Sequence, residues 1–436
     1  MFLSHKLKRI SGLQISEFFQ ITQIVFTLIA LIHAWTLQYK SSDSTPSLLN
    51  RISFIVEDVP WMPPGLKSEA ILHLHHFGDW TLGIGYALTS NPYNPDLNIP
   101  APVPPFGLVI LKIFAIFGYR ISYLIFILLT ALIWVSLINK LFGYKKTQER
   151  LVILFFFVAF TSASIFAVDR GAVHLLLIGL IGHAFISFGN KRYFVAFCCV
   201  LIAASFKPYM ILMLLWGFRN RQFKKIIYGF VSILLINLIS LLIVSGTLII
   251  GLRQYLSASN NYASDFIIPW ITDGASPLSF VYKTIESLQG SATGILFLER
   301  TVKFSGLISL VILVILLPLI TSKKIPDFVA ATLLLSLNSL IIPASMGYTL
   351  VWASLGALIF IRETEGIKEI PNKIDTVMYL AVGTLLISII TPYFGQLPLL
   401  SGGARKNVNQ YFYIIGIVMT VIISYLSLFQ KSRKIK

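Results

Sequence analysis

An acid beside a tryptophan, a lysine followed by proline in an apolar run, and arginines at helix ends are the residues of this chain whose types and spacing suit chemistry. Asp79 precedes Trp80 in the run His73 to Gly118, which also holds His75, His76, Asn91-Pro92-Tyr93 and Pro104-Pro105. A carboxylate in such a loop can act as a general base toward a hydroxyl acceptor. Glu57, Asp58 and Asp96 compete for that role, and a solvated loop acid is the ordinary reading of each. Lys207 interrupts the apolar stretch Tyr193 to Phe218. An ionisable residue there is expensive and marks a substrate path, or else it snorkels to the interface as an anchor. As a compact cation it can hold a phosphate. Arg170, in the tight turn Asp169-Arg170-Gly171, and Arg120 stand at neighbouring helix ends. Together with Lys207 they make a cradle for one lipid phosphate, although headgroup contact accounts for each singly. Asp169 itself reads as an ion-pair partner or turn cap.

Other clusters carry less. His73, His75 and His76 have the close spacing of metal ligands, but no further cysteine or histidine cluster supports them, and no metal is expected. Cys198 and Cys199 are adjacent within a hydrophobic span and cannot form an ordinary disulfide with each other. Trp61, Trp80, Tyr93 and Trp270 have faces on which a sugar ring could stack, yet aromatic residues at the outer interface are also the usual belt.

The elements that must position these residues are membrane spans. Of 436 residues 56% are hydrophobic and 12% charged, and apolar runs recur along the chain, which excludes a soluble globular protein. The net charge of +17 does not indicate nucleic acid, because the basic residues fall in short clusters between apolar spans, as cytoplasmic turns require. Lys6, Lys8 and Arg9 precede a first span from Gln20 to Tyr39, which reads as a retained signal anchor with the N-terminus inside. Residues 40–119 then form a first external loop.

Its last part, Pro104 to Gly118, is apolar but reaches only about 22 Å, short of a ~30 Å bilayer core. It is therefore expected as a juxtamembrane helix. Spans follow at Arg120 to Phe142, Leu151 to Val168 and Gly171 to Phe188, then two short helices broken at Lys207-Pro208 and joined outside. Ile226 to Leu248 leads to a second external loop, residues 251–303. The remaining spans are Phe304 to Thr321, Phe328 to Ile342, Tyr348 to Ile361, Thr376 to Ile390 and Tyr411 to Phe429. The expected fold is all-α: a single polytopic domain, residues 1–436, with about twelve spans and both termini cytoplasmic.

Three stretches carry a resemblance. The first external loop has its acid, Asn91-Pro92-Tyr93, and Pro104-Pro105 opening an apolar helix. Asp169-Arg170-Gly171-Ala172-Val173-His174 is a glycine-led turn into a leucine-rich span. Ser205-Phe206-Lys207-Pro208-Tyr209, followed by the basic run Arg219 to Lys225, is a lysine-proline break. In these the chain resembles the GT-C class of integral-membrane glycosyltransferases, most closely family 87, which includes polyprenyl-phosphate-mannose-dependent mannosyltransferases. The likeness covers roughly Leu72 to Gly229. Ala172 and His174 depart from the family, which often has glutamine or asparagine after the turn glycine.

The resemblance implies inverting transfer of a sugar, mannose first, from a polyprenyl phosphate to a glycolipid or glycan hydroxyl outside the bacterial cytoplasmic membrane. Asp79 would be the base, with Lys207, Arg170 and Arg120 on the donor phosphate. Trp80, Tyr93, His76 and Tyr209 are the expected sugar- or acceptor-contacting side chains. The lipid-linked sugar is a substrate, no cofactor is expected, and the other partners are membrane lipids. A lipid-linked sugar flippase predicts inverted repeats and charges deep within several spans, of which Lys207 is the main example. A non-enzymatic envelope-assembly protein predicts no dependence on any loop acid.

Overall fold

The computed structural model describes residues 14–40, 78–94, 101–262, 276–290, 304–341, 347–367, 373–390 and 408–433. Among them all regular structure is helical and no strand occurs. A lipid medium imposes this, because each backbone N–H and C=O must be bonded without water. The chain forms α1 (Ile15–Lys40), α2 (Gly78–Leu88), α3 (Pro105–Ala115), α4 (Gly118–Phe142), α5 (Thr147–Leu154), α6 (Ser162–Arg170), α7 (His174–Gly189) and α8 (Tyr193–Phe206). Past Lys207 comes a 3₁₀ helix, Pro208–Asn220, then α9 (Phe223–Ser245), α10 (Leu248–Tyr262), α11 (Pro277–Gln289) and α12 (Ser305–Thr321). The chain continues with α13 (Asp327–Leu340), α14 (Trp352–Thr364), α15 (Lys373–Ile390) and α16 (Val408–Arg433).

Three of the described helices are long and apolar enough to cross a membrane: α4, α9 and the stretch Tyr413–Gln430 of α16. The other described apolar helices, including α7, α8, α12 and α13, are shorter. Burial explains part of this. On α13 every residue from Phe328 to Leu340 is buried, so the helix faces protein on all sides. Ser339 ties it outward: Trp352 Nε1 on α14 donates to Ser339 Oγ at 3.1 Å, and the Tyr413 hydroxyl on α16 shares a short hydrogen bond with it. Leu124, Leu128 and Leu132 on α4, and Leu235, Ile239 and Ile243 on α9, are exposed and form the lipid-facing flank.

The short apolar segment after Pro104 is helical. Pro105 suits the first helical position, where no N–H is needed. The 11 residues of α3 rise only about 16 Å before Gly118, at φ 68°, turns the chain into α4. One expectation needs correction. The span from Leu151 to Val168 is not one helix. A π turn at Phe155–Ala159 ends α5, and the Thr161 hydroxyl accepts from Ser164 N at 3.2 Å, capping α6 as a new start. Farther on, α10 and α11 lie within the stretch 248–289.

One end of the bundle gathers the basic turns. Gly366 N donates to Gln14 Oε1, Lys145 binds Glu365, Arg362 lies over Tyr144, and Asn220 bridges Phe188 O and Lys323. Arg219 is the keystone, 3% exposed. It donates to Ile320 O at 3.0 Å, Ser322 O at 2.8 Å, Ile325 O at 2.7 Å and twice to Asp327 Oδ1, so all five guanidinium N–H groups are used. Carbonyls orphaned at the end of α12 and the turn beyond it are thereby satisfied. Arg219→Leu should lower the unfolding free energy of the detergent-solubilised protein by roughly 3 kcal/mol, because several buried carbonyls lose their donors. Thermal unfolding checks this, and a midpoint equal to wild type would show that the turn holds without Arg219.

Candidate functional site

The site begins with a contact between backbones. A Cβ on Gly107 would lie 2.0 Å from Ser205 O, so α3 presses its glycine directly on the last turn of α8. On the other side Phe106 N, an N-terminal donor of α3, reaches Asn237 Oδ1 on α9 at 3.3 Å. Clamped between α8 and α9, α3 is a fixed floor. Helix α2 lies on it, Gly83 facing Leu111 across a gap that a Cβ would close to 3.4 Å.

Trp80 locks α2 in rotation. It is 2% exposed, stacks on Phe126 at 4.6 Å, meets Phe114 edge-on at 5.2 Å and donates its indole N–H to Ser122 Oγ at 3.0 Å. Expected at a sugar, Trp80 sits in the core, with one face and its only donor engaged by protein. Its neighbour Asp79 is half-buried in the first turn of α2, where the helix dipole favours a negative charge.

Opposite stands the break after α8. A residue before proline is pushed out of helical geometry, and Lys207 accordingly adopts φ −136° and ψ 101° ahead of Pro208. Lys207 N still donates to Ala203 O at 3.0 Å, and Lys207 O accepts from Met210 N at 2.9 Å, so the break is pinned on both sides. The Lys207 ammonium and the Asp79 carboxylate interact electrostatically. An acid and a cation 128 positions apart in sequence are thus placed at one site by α2, α3 and α8. Tyr209, on the first turn of the 3₁₀ helix, shares a 2.9 Å hydrogen bond with His174 Nε2.

The other expected residues are placed unevenly. Arg170 ends α6 and is followed by Gly171 in the left-handed conformation; its side chain lies outside what is described. The turn is nonetheless anchored near Trp80, because the Tyr123 hydroxyl donates to Val168 O while the Tyr123 ring lies 6.3 Å from the Trp80 ring. Arg120 is exposed at the start of α4, two positions and so about 200° around the helix from Ser122. Tyr93 is fully buried, donating to Val103 O at 2.8 Å and packing on Tyr255 at 5.3 Å. Burial, and then Tyr255, raise its pKa, so it serves as a protonated strut between Val103 and α10. His76, Glu57, Asp58 and Asp96 lie outside the described residues, as does the histidine cluster. Among the described residues no group of three or more histidine, cysteine or acidic side chains could hold a metal ion.

Gly107, Ser122, Asn237 and His174 were missed by sequence reasoning. Only Gly107, two residues beyond the second proline, had a local signal.

Fold and site together define a helical membrane protein with an acid and a cation assembled on short, broken helices. The family model for glycosyltransferase family 87 matches residues 103–343, more than half of the chain. The chain belongs to that family and is a membrane glycosyltransferase. The match runs past Gly229 to residue 343 and takes in Lys207, Arg170, Arg120, His174 and Tyr209. It begins after Asp79. Searches of curated proteins and of solved structures find no match.

Gly107→Ala must displace α3 from α8 and is expected to reduce sugar transfer by about tenfold or more, as ~1 Å shifts at a site do. Gly306→Ala, whose added Cβ meets nothing within 4 Å, is the control and should behave as wild type. Equal transfer rates in the two variants would rule out α3 as a precise floor.

Proposed function

We propose that this glycosyltransferase moves a single sugar, mannose, from a polyprenyl phosphate to a hydroxyl of a glycolipid or glycan, with inversion and no separate cofactor. The observation that carries the reading is the stack of α2, α3 and α8, which brings Asp79 within electrostatic reach of Lys207. Asp79 takes the proton of the acceptor hydroxyl as its oxygen attacks the anomeric carbon. The bond from that carbon to the phosphate oxygen breaks on the opposite face, and polyprenyl phosphate leaves with the bonding pair. Lys207 meets the charge that grows on the departing oxygen, with Arg170 and Arg120 as further cations near the same helix ends.

The two ends of the bundle support a placement in the membrane. The turns carrying Lys145, Lys191, Arg192, Lys225, Lys323 and Arg362 are the cytoplasmic ones by the positive-inside rule, together with both termini. Lys207 immediately precedes the 3₁₀ helix, and Arg219 and Asn220 end it. Its 13 residues reach about 26 Å at ~2.0 Å per residue, against about 20 Å as an α-helix. That length supports an active site on the outer face of the cytoplasmic membrane, close to where the ~30 Å core ends. The twelve-span topology belongs to the same reading.

The test is sugar transfer in proteoliposomes from labelled polyprenyl-phosphate mannose to a membrane extract of acceptors. Asp79→Asn should lose about 10²- to 10⁴-fold in turnover while still binding donor, as expected for a general base. Lys207→Ala should raise the donor KM. Unimpaired turnover of Asp79→Asn would remove Asp79 from the mechanism, and activity only with another lipid-linked sugar would replace mannose.

A further inference from the structure

An imidazole buried among leucines loses its hydration and needs a partner to make up for it. His174 is 2% exposed, within the first turn of α7 and ahead of Leu175-Leu176-Leu177. Its Nε2 pairs with the Tyr209 hydroxyl at 2.9 Å. The two residues lie on opposite sides of the same problem. His174 follows the Asp169-Arg170-Gly171 turn by three positions, and that turn is held rigidly by Gly171 N on Val168 O at 3.0 Å and Ala172 N on Ala167 O at 2.8 Å. Tyr209 follows Lys207 by two positions, with only Pro208 between. The imidazole also feels the Lys207 charge directly. One hydrogen bond therefore sets the spacing between two breaks, each of which carries a cation.

We propose that His174 is a positioning residue for the donor phosphate: through Tyr209 it holds the Lys207-Pro208 break at a fixed separation from the Arg170 turn. Its burial keeps it from touching substrate. This rests on the reading of Lys207 as a donor-phosphate cation. Histidine at this position is then a chemical solution and not a packing accident, because leucine would fill the same space without reaching Tyr209.

Transfer kinetics in proteoliposomes, with polyprenyl-phosphate mannose as donor, test the inference in Tyr209→Phe, His174→Leu, the double variant and His174→Gln. Loss of one buried hydrogen bond should raise the donor KM roughly five- to tenfold in each single variant, with much less change in kcat. The double variant should be no worse than the poorer single one, because both remove the same bond. His174→Gln, whose amide can reach the Nε2 position, should recover most of the affinity. A merely structural histidine would lower the unfolding midpoint while leaving the donor KM of the folded variants at the wild-type value, and that pattern would overturn the proposal. Should His174→Leu fail to fold, Tyr209→Phe and His174→Gln still decide, since a wild-type donor KM in Tyr209→Phe refutes the brace. Lys207→Ala separates the two claims. A wild-type donor KM in that variant sinks the phosphate reading itself, whereas a raised KM there beside normal Tyr209→Phe sinks only the role of His174.

Discussion

The site depends on one place where two backbones touch. Ser205 O at the end of α8 occupies the space that any side chain at position 107 would need. Because Gly107 leaves it open, α3 can lie flat against the last turn of α8, and α2 can lie on α3. Asp79 and Lys207 inherit their proximity from that stack. Packing sets the geometry, and electrostatics acts once the geometry exists.

The same segment shows how a broken helix can still run between two ends of a bundle. Pro208 releases Lys207 from α8, and the residues after it wind as a 3₁₀ helix far longer than the usual short run. Such a winding has poorer hydrogen bonds and must be supported from outside. Met210, Met213 and Leu214 are buried in neighbouring helices, and at the far end Arg219 spends its whole guanidinium on α12, Asp327 and the turn between them. Trp216 adds to this, stacked on Phe185 at 4.6 Å and lying 5.4 Å beneath the Arg219 cation. A stretched helix fixed at both ends keeps Lys207 at a constant depth.

Much of this was legible in the sequence where a residue's chemistry is local. Pro104-Pro105 announces the start of α3, its short apolar run excludes a span, and Lys207-Pro208 marks a break wherever it is placed. The basic clusters separate the two ends. The illegible parts are those that depend on who meets whom. Thr161 is an unremarkable threonine until its hydroxyl caps α6 and divides an apparent span. Trp80 looks like a platform for sugars, but Phe126 and Ser122 reach it from α4 and make it a rotational lock. His174 seemed only a departure from a family pattern. Its partner lies 35 positions away, across a packing interface that no periodicity reveals.

The electrostatic interaction of Asp79 with Lys207 also bears on the proposed reaction. The Asp79 carboxylate favours the charged form of Lys207, against the cost of burying that ammonium. In the proposed reaction a donor phosphate would bring a second anion to Lys207 and compete with the carboxylate for it. Asp79 would then share the Lys207 charge with the phosphate at the moment when an acceptor hydroxyl arrives. A carboxylate that shares a neighbouring cation is a better base than one that has it alone. The fixed position of the lysine matters for this exchange. A lysine held by the backbone on both sides of a proline break can face both anions from one place.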